Sequence, residues 1–162
     1  MAFYTILANY AATVSATNIL TNYEISNFAL PGRRSLHNSG YWLQTPYLGI
    51  GAAAHSFDGG SRQWNVSDLD QYIQGVENGH WAIQQETLDA DTRYNELVMT
   101  RLRTCEGLPL DMLSPSQLRH CTKEARRWID SGLLSLTPAD SHLRLTRQGI
   151  FVSDMVMSAL FI

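Results

Sequence analysis

A histidine, an amide and two aromatic residues lie within six positions of one another, shortly before a segment rich in glycine and alanine. The first group reads H-N-x-x-Y-W from His37 to Trp42, and the second reads GIGAAAHS from Gly49 to Ser56. A core segment does not need so many polar and aromatic side chains beside backbone with so little side-chain bulk. A site where a flat ligand or cofactor approaches the main chain needs both. This spacing therefore predicts a binding site within residues 23–66.

The elements that must position these residues change character along the chain. Up to residue 87 the pattern predicts helices over 2–22 and 67–76 and strands over 23–28, 47–57 and 62–66. It also predicts a long ordered loop after Pro31-Gly32 and an extended segment over 81–87. Beyond it, the pattern predicts a helix from Asp91 or Thr92 to Cys105, a helix over 116–130, a hairpin over 133–136 and 142–145, and a last helix over 146–160. These latter parts are those of a winged helix. The predicted fold class is α+β, divided into residues 1–85 and 86–162.

Charge and composition exclude several function classes. The net charge is −3, with −4 in residues 1–90 and +1 in residues 91–162. A general nucleic-acid binder needs a strong basic excess, so nucleic acid is not an expected partner. No apolar run approaches the roughly 20 residues of a membrane span, and the N-terminus does not resemble a signal peptide. The chain is therefore expected to be soluble and cytoplasmic.

Cys105 and Cys121 are the only cysteines in the sequence. No second cysteine or histidine stands near either of them at the spacing of a metal site. A disulfide framework or a structural zinc site is therefore not expected, and two reduced thiols fit a cytosolic protein.

Several long blocks carry a resemblance to a known family. They are YEISNFA at 23–29, HNxxYW at 37–42, YLGIGAxAHS at 47–56, GLL at 132–134, LRLTxxG at 143–149 and VSD at 152–154. These blocks resemble the C-terminal half of the heme chaperone family, whose members are often described as oxygen-independent coproporphyrinogen III oxidase-like proteins. The resemblance covers nearly everything from residue 23 onward.

The resemblance implies a radical S-adenosylmethionine protein, with a partial β/α barrel that holds a [4Fe–4S] cluster and a winged-helix-like domain after it. On this basis residues 1–85 are the last strands and helices of the barrel, and residues 86–162 are the winged-helix-like domain. The family's Cys-x-x-x-Cys-x-x-Cys motif is absent, and two distant cysteines cannot supply three thiolate ligands. We therefore expect a fragment that is inactive alone, with no catalytic residue, whose intact parent holds the S-adenosylmethionine and the cluster.

The resemblance also associates the motif at 37–42 with heme. In this interpretation His37 is an axial ligand of the heme iron, Asn38 orients it, and Tyr41 and Trp42 pack on the porphyrin. In the alternative interpretation His37 is a loop residue that bonds a carbonyl group, Asn38 stabilises a turn, and the two aromatic residues belong to the core. The sequence leaves both interpretations open.

Three small residues are candidate contacts of the S-adenosylmethionine cofactor. Ala29 ends a predicted strand, and ligands gather at the carboxyl ends of strands in such sheets. Gly49 and Gly51 allow a cofactor close to the backbone, or they allow tight packing within the chain. His55 is expected to be structural because no nucleophile elbow surrounds it. Glu24 is expected in a hydrogen-bond network rather than as a catalytic acid.

A second function class is suggested by the helix predicted over 116–130. Its basic residues fall on one face, namely Arg119, Lys123, Arg126 and Arg127. The alternative function is therefore a non-enzymatic winged-helix module that binds protein or DNA. A solvated face on an amphipathic helix explains the same pattern.

The preferred prediction is a heme-binding protein whose intact parent passes heme to heme-accepting apo-proteins. Alternatively, the parent performs the oxidative decarboxylation that the name coproporphyrinogen III oxidase implies. Barrel strands without their neighbours expose sheet edges and an apolar face. Self-association or partial disorder of residues 1–60 is therefore expected.

Overall fold

The computed structural model describes residues 20–80, 83–137, 139 and 141–162. The helix predicted over 2–22 lies outside these ranges, except for residues 20–22, of which Thr21 and Asn22 belong to a strand. The described chain mixes helices with short antiparallel strands, which confirms the α+β class. No helix in these ranges is both long enough and apolar enough to cross a membrane.

The strands of the described residues are short and fall into three sheets. They are β1 (Thr21–Glu24), β2 (Asn27–Ala29), β3 (His55–Phe57), β4 (Ser61–Asn65), β5 (Ile83–Thr87), β6 (Leu108–Pro109), β7 (Leu134–Thr137) and β8 (His142–Leu145). The sheets have the strand orders β1-β2, β3-β4-β5 and β6-β8-β7, and every pair is antiparallel.

The helices alternate with these strands along the chain. They are α1 (Leu36–Trp42), α2 (Leu69–Glu77), α3 (Ala90–Leu102), α4 (Pro115–Asp130) and α5 (Ser153–Ser158), with 3₁₀ turns at Leu110–Met112 and Gly149–Val152.

The chain packs into two compact units. One is Gln44–Thr92, and the other joins the residues before it, up to Leu43, to Arg93–Ile162. We call them the middle unit and the terminal unit. Packing within this chain does not decide which larger domain a segment belongs to, so the division into 1–85 and 86–162 stays a prediction.

The terminal unit holds the hydrophobic core. Ser114 begins α4 with a capping box that it shares with Gln117, and Pro115 occupies the first turn, where a missing N–H costs nothing. The side chains that meet between α3, α4, α5 and the β6-β8-β7 sheet include Val98, Leu102, Leu108, Cys121, Leu134, Leu143, Val156 and Leu160. The Tyr94 hydroxyl donates a 2.9 Å hydrogen bond to the Leu160 carbonyl and ties α3 to the end of the chain.

The β1-β2 hairpin also belongs to the terminal unit, and it corrects the prediction of a single strand over 23–28. The chain turns at Ile25-Ser26 because the Glu24 carboxylate accepts hydrogen bonds from the Ser26 N–H and hydroxyl, both at 2.9 Å. Glu24 is 1% exposed, and these bonds satisfy its Oε1. Its Oε2 is buried without a hydrogen bond from the described residues and lies 3.8 Å from Arg103 Nη2.

The middle unit corrects a second prediction. Only His55–Phe57 of the predicted strand over 47–57 is a strand, and Tyr47 forms an isolated bridge with Phe57. Between them the backbone turns back, with Gly51 at φ 114° and Ala53 at φ 58°. Such positive φ values are incompatible with an extended strand. The returning strand and α2 are present, although Asp68 rather than Ser67 caps α2 through the Gln71 N–H at 2.8 Å.

Candidate functional site

The H-N-x-x-Y-W motif lies on α1, where a long loop was predicted. Ser35 caps this helix by accepting a 3.3 Å hydrogen bond from the Asn38 N–H. A helix fixes the angle between successive side chains at about 100°, so the spacing of the motif decides which side chains share a face. Residues 37 and 41 therefore point the same way, and residue 42 points away from residue 37.

His37 and Tyr41 form the exposed face of α1. Their ring centroids are 5.0 Å apart and the rings are nearly perpendicular, at 87°. Both side chains are exposed, and the His37 imidazole has no hydrogen-bond partner among the residues that the structure describes. An accessible imidazole nitrogen with a free lone pair is what a metal ligand requires.

Trp42 lies on the other side of α1 and is half-buried. The Arg103 guanidinium carbon lies 5.0 Å from the centre of its ring, and the Trp42 Nε1 is buried without a hydrogen-bond partner among the described residues. The structure thus brings His37 and Tyr41 together and separates Trp42 from them. Asn38 is half-buried, and no hydrogen bond joins its side chain to the imidazole of His37 in the described chain.

A cavity of about 280 Å³ lies beside Trp42, within the terminal unit. Its walls come from β1, α1 and the residues around the end of α3. They include Tyr23, Arg34, Ser39, Trp42, Arg101 and Glu106.

Arg34 and Glu106 form an ion pair in the wall of this cavity, with 2.6 Å between Nη1 and Oε1. Desolvation acts to raise the pKa of Glu106, but the hydrogen bonds from Arg34 and Cys105 together hold that pKa below its ordinary value. Arg34 also contacts Cys105 Sγ at 3.4 Å. Burial raises the pKa of this thiol, and Glu106 adds to the rise. Cys105 was expected on the face of a helix, but α3 ends at Leu102 and the thiol lies in the turn that follows.

Arg101 and Arg103 differ from Arg34 in their partners. The Nε atoms of Arg101 and Arg103 are buried without hydrogen-bond partners among the described residues. Arg103 Nη2 lies 3.8 Å from the Glu24 carboxylate, whereas no ion pair within the described chain involves Arg101.

Sequence reasoning missed these arginines. Arg34 is far along the chain from Arg101 and Arg103, so no local spacing signals that they meet around Trp42. Two arginines two residues apart at the end of a helix are a weak signal, because such residues also favour a helix C-terminus without any ligand.

The three candidate cofactor residues lie in different units. Ala29 is a buried residue at the end of β2 in the terminal unit. Gly49 and Gly51 belong to the middle unit, where Gly49 lines a second cavity of about 440 Å³ together with Leu48, Ile50 and Tyr72.

The structure of the chain itself also explains why glycine stands at positions 49 and 51. A Cβ on Gly49 would collide with the His55 carbonyl oxygen, and its N–H donates a 3.0 Å hydrogen bond to the Ser56 hydroxyl. Gly51 adopts φ 114°, which glycine alone adopts readily. The cofactor role of Ala29, Gly49 and Gly51 stays a prediction.

The described residues do not fit an iron–sulfur cluster. They contain no group of three or more His, Cys, Asp or Glu side chains that could hold a metal ion. Cys121 is fully buried in the core and Cys105 is exposed. A cluster needs several thiolates around one site.

Comparison with known proteins gives consistent matches. Residues 88–152 match the model of the HemN C-terminal domain. The chain is 32% identical over 139 residues to the heme chaperone HemW of Mycobacterium tuberculosis, which covers 85% of this chain and 34% of that protein. It is 32% identical over 149 residues to the heme chaperone HemW of Bacillus subtilis, covering 85% of this chain and 37% of that protein.

The solved structure of coproporphyrinogen III oxidase (HemN) from Escherichia coli, described as a radical SAM enzyme, has a TM-score of 0.68 to this chain. The identity is 18%, and the match covers 98% of this chain and 40% of that one, so it shows a shared fold. The chain spans about a third of the length of the curated relatives that it matches.

Proposed function

Since the chain is a homologue of the C-terminal part of the heme chaperone family, we propose that it is the heme-binding C-terminal part of a radical S-adenosylmethionine protein in porphyrin and heme metabolism. The cargo is heme, and heme-accepting apo-proteins are its partners. The proposed location is the cytoplasm. The similarity to heme chaperones supports the heme class over an interaction module that binds protein or DNA.

The observation on which the proposal depends is the exposed pair of His37 and Tyr41. His37 supplies an imidazole nitrogen without a partner among the described residues, and the perpendicular Tyr41 ring 5.0 Å away supplies a flat apolar surface beside it. Heme iron accepts an axial histidine, and aromatic rings pack on its macrocycle. The heme contacts of Asn38 and Trp42 stay predictions. Trp42 faces the cavity side of α1, and the Asn38 N–H donates to the Ser35 cap of this helix.

S-adenosylmethionine and the [4Fe–4S] cluster belong to the intact parent on this proposal. The cluster would supply the electron for cleavage of S-adenosylmethionine, and the two cysteines of this chain do not ligate it. Ala29, Gly49 and Gly51 are proposed to contact S-adenosylmethionine in the parent.

We also propose that the terminal unit contains a winged-helix-like domain. The order of α3, α4, the β7-β8 hairpin and α5 supports this, with β6 completing the small sheet. The basic residues of α4 are exposed, but Lys123 pairs with Glu124 at 3.3 Å, and Arg127 lies over the Trp128 ring at 4.8 Å. These contacts give two of the four basic residues, Lys123 and Arg127, partners within the chain.

The test is a hemin titration of the full chain beside His37→Ala, followed at the Soret band. We expect saturable binding near one equivalent, with the Soret maximum shifted and the affinity reduced in His37→Ala. The matched control is His55→Ala, which removes an exposed histidine that stacks on Trp64 in the middle unit. Equal spectra for the wild type and His37→Ala, or an equal effect of both substitutions, would overturn the assignment of the ligand.

A further inference from the structure

Among the described residues, one arginine of the cavity beside Trp42 has no counter-ion. Arg34 is neutralised by Glu106 at 2.6 Å. Arg101 lines the same cavity, has no ion-pair partner among the described residues, and keeps a buried Nε without an acceptor. A buried donor without a partner is rare in folded proteins because it loses its hydration and gains nothing in return. Within the described part of the chain, Arg101 therefore lacks an acceptor for its charge.

The size of the cavity limits what the acceptor belongs to. Pockets that enclose a whole small molecule measure about 300–1,000 Å³, whereas this cavity measures about 280 Å³. Near the lower end of that range, it admits a small ligand or one substituent of a larger ligand. A substituent that satisfies a guanidinium is a carboxylate, which accepts two parallel hydrogen bonds from its fork.

The surroundings of Arg101 fit a carboxylate. Ser39 and Trp42 line the cavity from α1, so a hydroxyl-bearing side chain and an apolar ring both belong to its wall. Glu106, the acidic residue of the lining, is already engaged by Arg34. The cavity and the face formed by His37 and Tyr41 are two sides of the same helix, which is about 10–12 Å across with its side chains.

We propose that this cavity binds a carboxylate arm of a tetrapyrrole, held by Arg101 with Ser39 as a second donor. The proposal rests on the proposed function for the class of ligand, but it does not depend on iron.

The test uses protoporphyrin IX, which has the two carboxylates and no iron, and its dimethyl ester, which has neither charge. The full chain is titrated with each and the porphyrin fluorescence is followed. We expect tighter binding of the free acid, and Arg101→Gln is expected to weaken free-acid binding about tenfold while leaving the ester unchanged. Arg119→Gln, which removes the same charge from an exposed position on α4, is the control and is expected to change neither.

A second variant keeps the test informative if Arg101→Gln fails to fold. Ser39→Glu places a carboxylate of the chain itself in the cavity, on a helix that tolerates it. We expect it to abolish the preference for the free acid, whereas Ser39→Ala reduces that preference only slightly. Folding of each variant is checked by circular dichroism.

The outcomes separate this proposal from the assignment of the iron ligand. Preference for the free acid that disappears in Arg101→Gln supports the carboxylate site even if the hemin spectrum proves independent of His37. Equal affinity for acid and ester, a preference that survives both substitutions, or no porphyrin binding at all would overturn the carboxylate site. A Soret shift that depends on His37 would then still support the heme ligand.

Discussion

The terminal unit and the middle unit differ in how they bury their apolar side chains. In the terminal unit the core residues of α3, α4 and α5 are nearly inaccessible, with Leu102 1% exposed. In the middle unit Leu48 is 80% exposed and Ile50 is 84% exposed, and every described residue of β5 is exposed. The terminal unit has an extensive core of its own, whereas the middle unit buries Leu88 but leaves most of its large aliphatic side chains at the surface.

This difference shows where each unit obtains its stability. Burial of apolar area is the main favourable term in folding, and the terminal unit has that area within the described chain. The middle unit presents an apolar cavity wall at Leu48 and Ile50 with nothing in the described chain to cover it.

The largest expected effect contrasts one leucine from each unit. Leu102→Ala leaves a cavity in the core and is expected to lower the free energy of unfolding by about 2–5 kcal/mol. Leu48→Ala removes an exposed side chain and is expected to change that free energy by less than about 0.5 kcal/mol. Urea unfolding followed by circular dichroism measures both. A similar loss of unfolding free energy in both variants would contradict the contrast between the two units and show that the middle unit has a core of its own.

A smaller effect is expected from two glycines that approach backbone carbonyl groups equally closely. An added Cβ collides with the Leu133 carbonyl at Gly149 and with the His55 carbonyl at Gly49. Gly149→Ala is expected to lower the melting temperature of the whole terminal unit by several degrees. Gly49→Ala is expected to leave that melting temperature unchanged and to speed hydrogen exchange only within residues 44–92.

The matched control for Gly49→Ala is Gly51→Ala, because the space around Gly51 is open and only its φ of 114° opposes a side chain. A loss of melting temperature in Gly49→Ala as large as that in Gly149→Ala would mean that the two units unfold together.

The smallest effect concerns the pH dependence of the turn between β3 and β4. The N–H groups of Ser61 and Gly60 and the Ser61 hydroxyl donate to the Asp58 carboxylate and lower its pKa to about 2 from an ordinary 3.8. A depressed folded-state pKa means that the stabilisation is fully present above about pH 4 and is lost as the pH falls through about 2.

The Ser61 amide shift in an NMR titration follows this loss. We expect a midpoint near 2, with the amides of the terminal unit unaffected over the same range. A midpoint near the ordinary 3.8 would show that the turn is not formed in solution.

The sequence predicted those elements of the fold whose signals lie close together along the chain. The α4 helix follows from a capping residue and an amphipathic stripe, and the turn before the β7-β8 hairpin follows from Gly132. All three residue signals are visible in the sequence, and Gly132 adopts the positive φ, 73°, that such a glycine indicates. The strand predicted over 47–57 was wrong because its apolar run contains positive-φ positions at Gly51 and Ala53, which hydrophobicity does not reveal.

The candidate site was likewise predictable only where its signals are local. The motif itself and its histidine were visible, but the loop predicted there is α1, and the Ser35 cap was the signal that indicates it. The separation of Trp42 from His37 follows directly once the helix is known. The arrangement of Arg34 and Arg101 around one cavity depends on tertiary packing between distant segments, so sequence patterns alone did not reveal it.

The measurement that tests the central claim most directly is the absorption spectrum of the ferric heme complex of His37→Cys. A thiolate ligand changes the Soret band in a way that no distant substitution reproduces, because the ligand atom itself changes. We expect a spectrum of thiolate type for His37→Cys and a spectrum of histidine type for the wild type and for the control His55→Cys. A His37→Cys spectrum identical to that of the wild type would contradict the claim that His37 binds the iron.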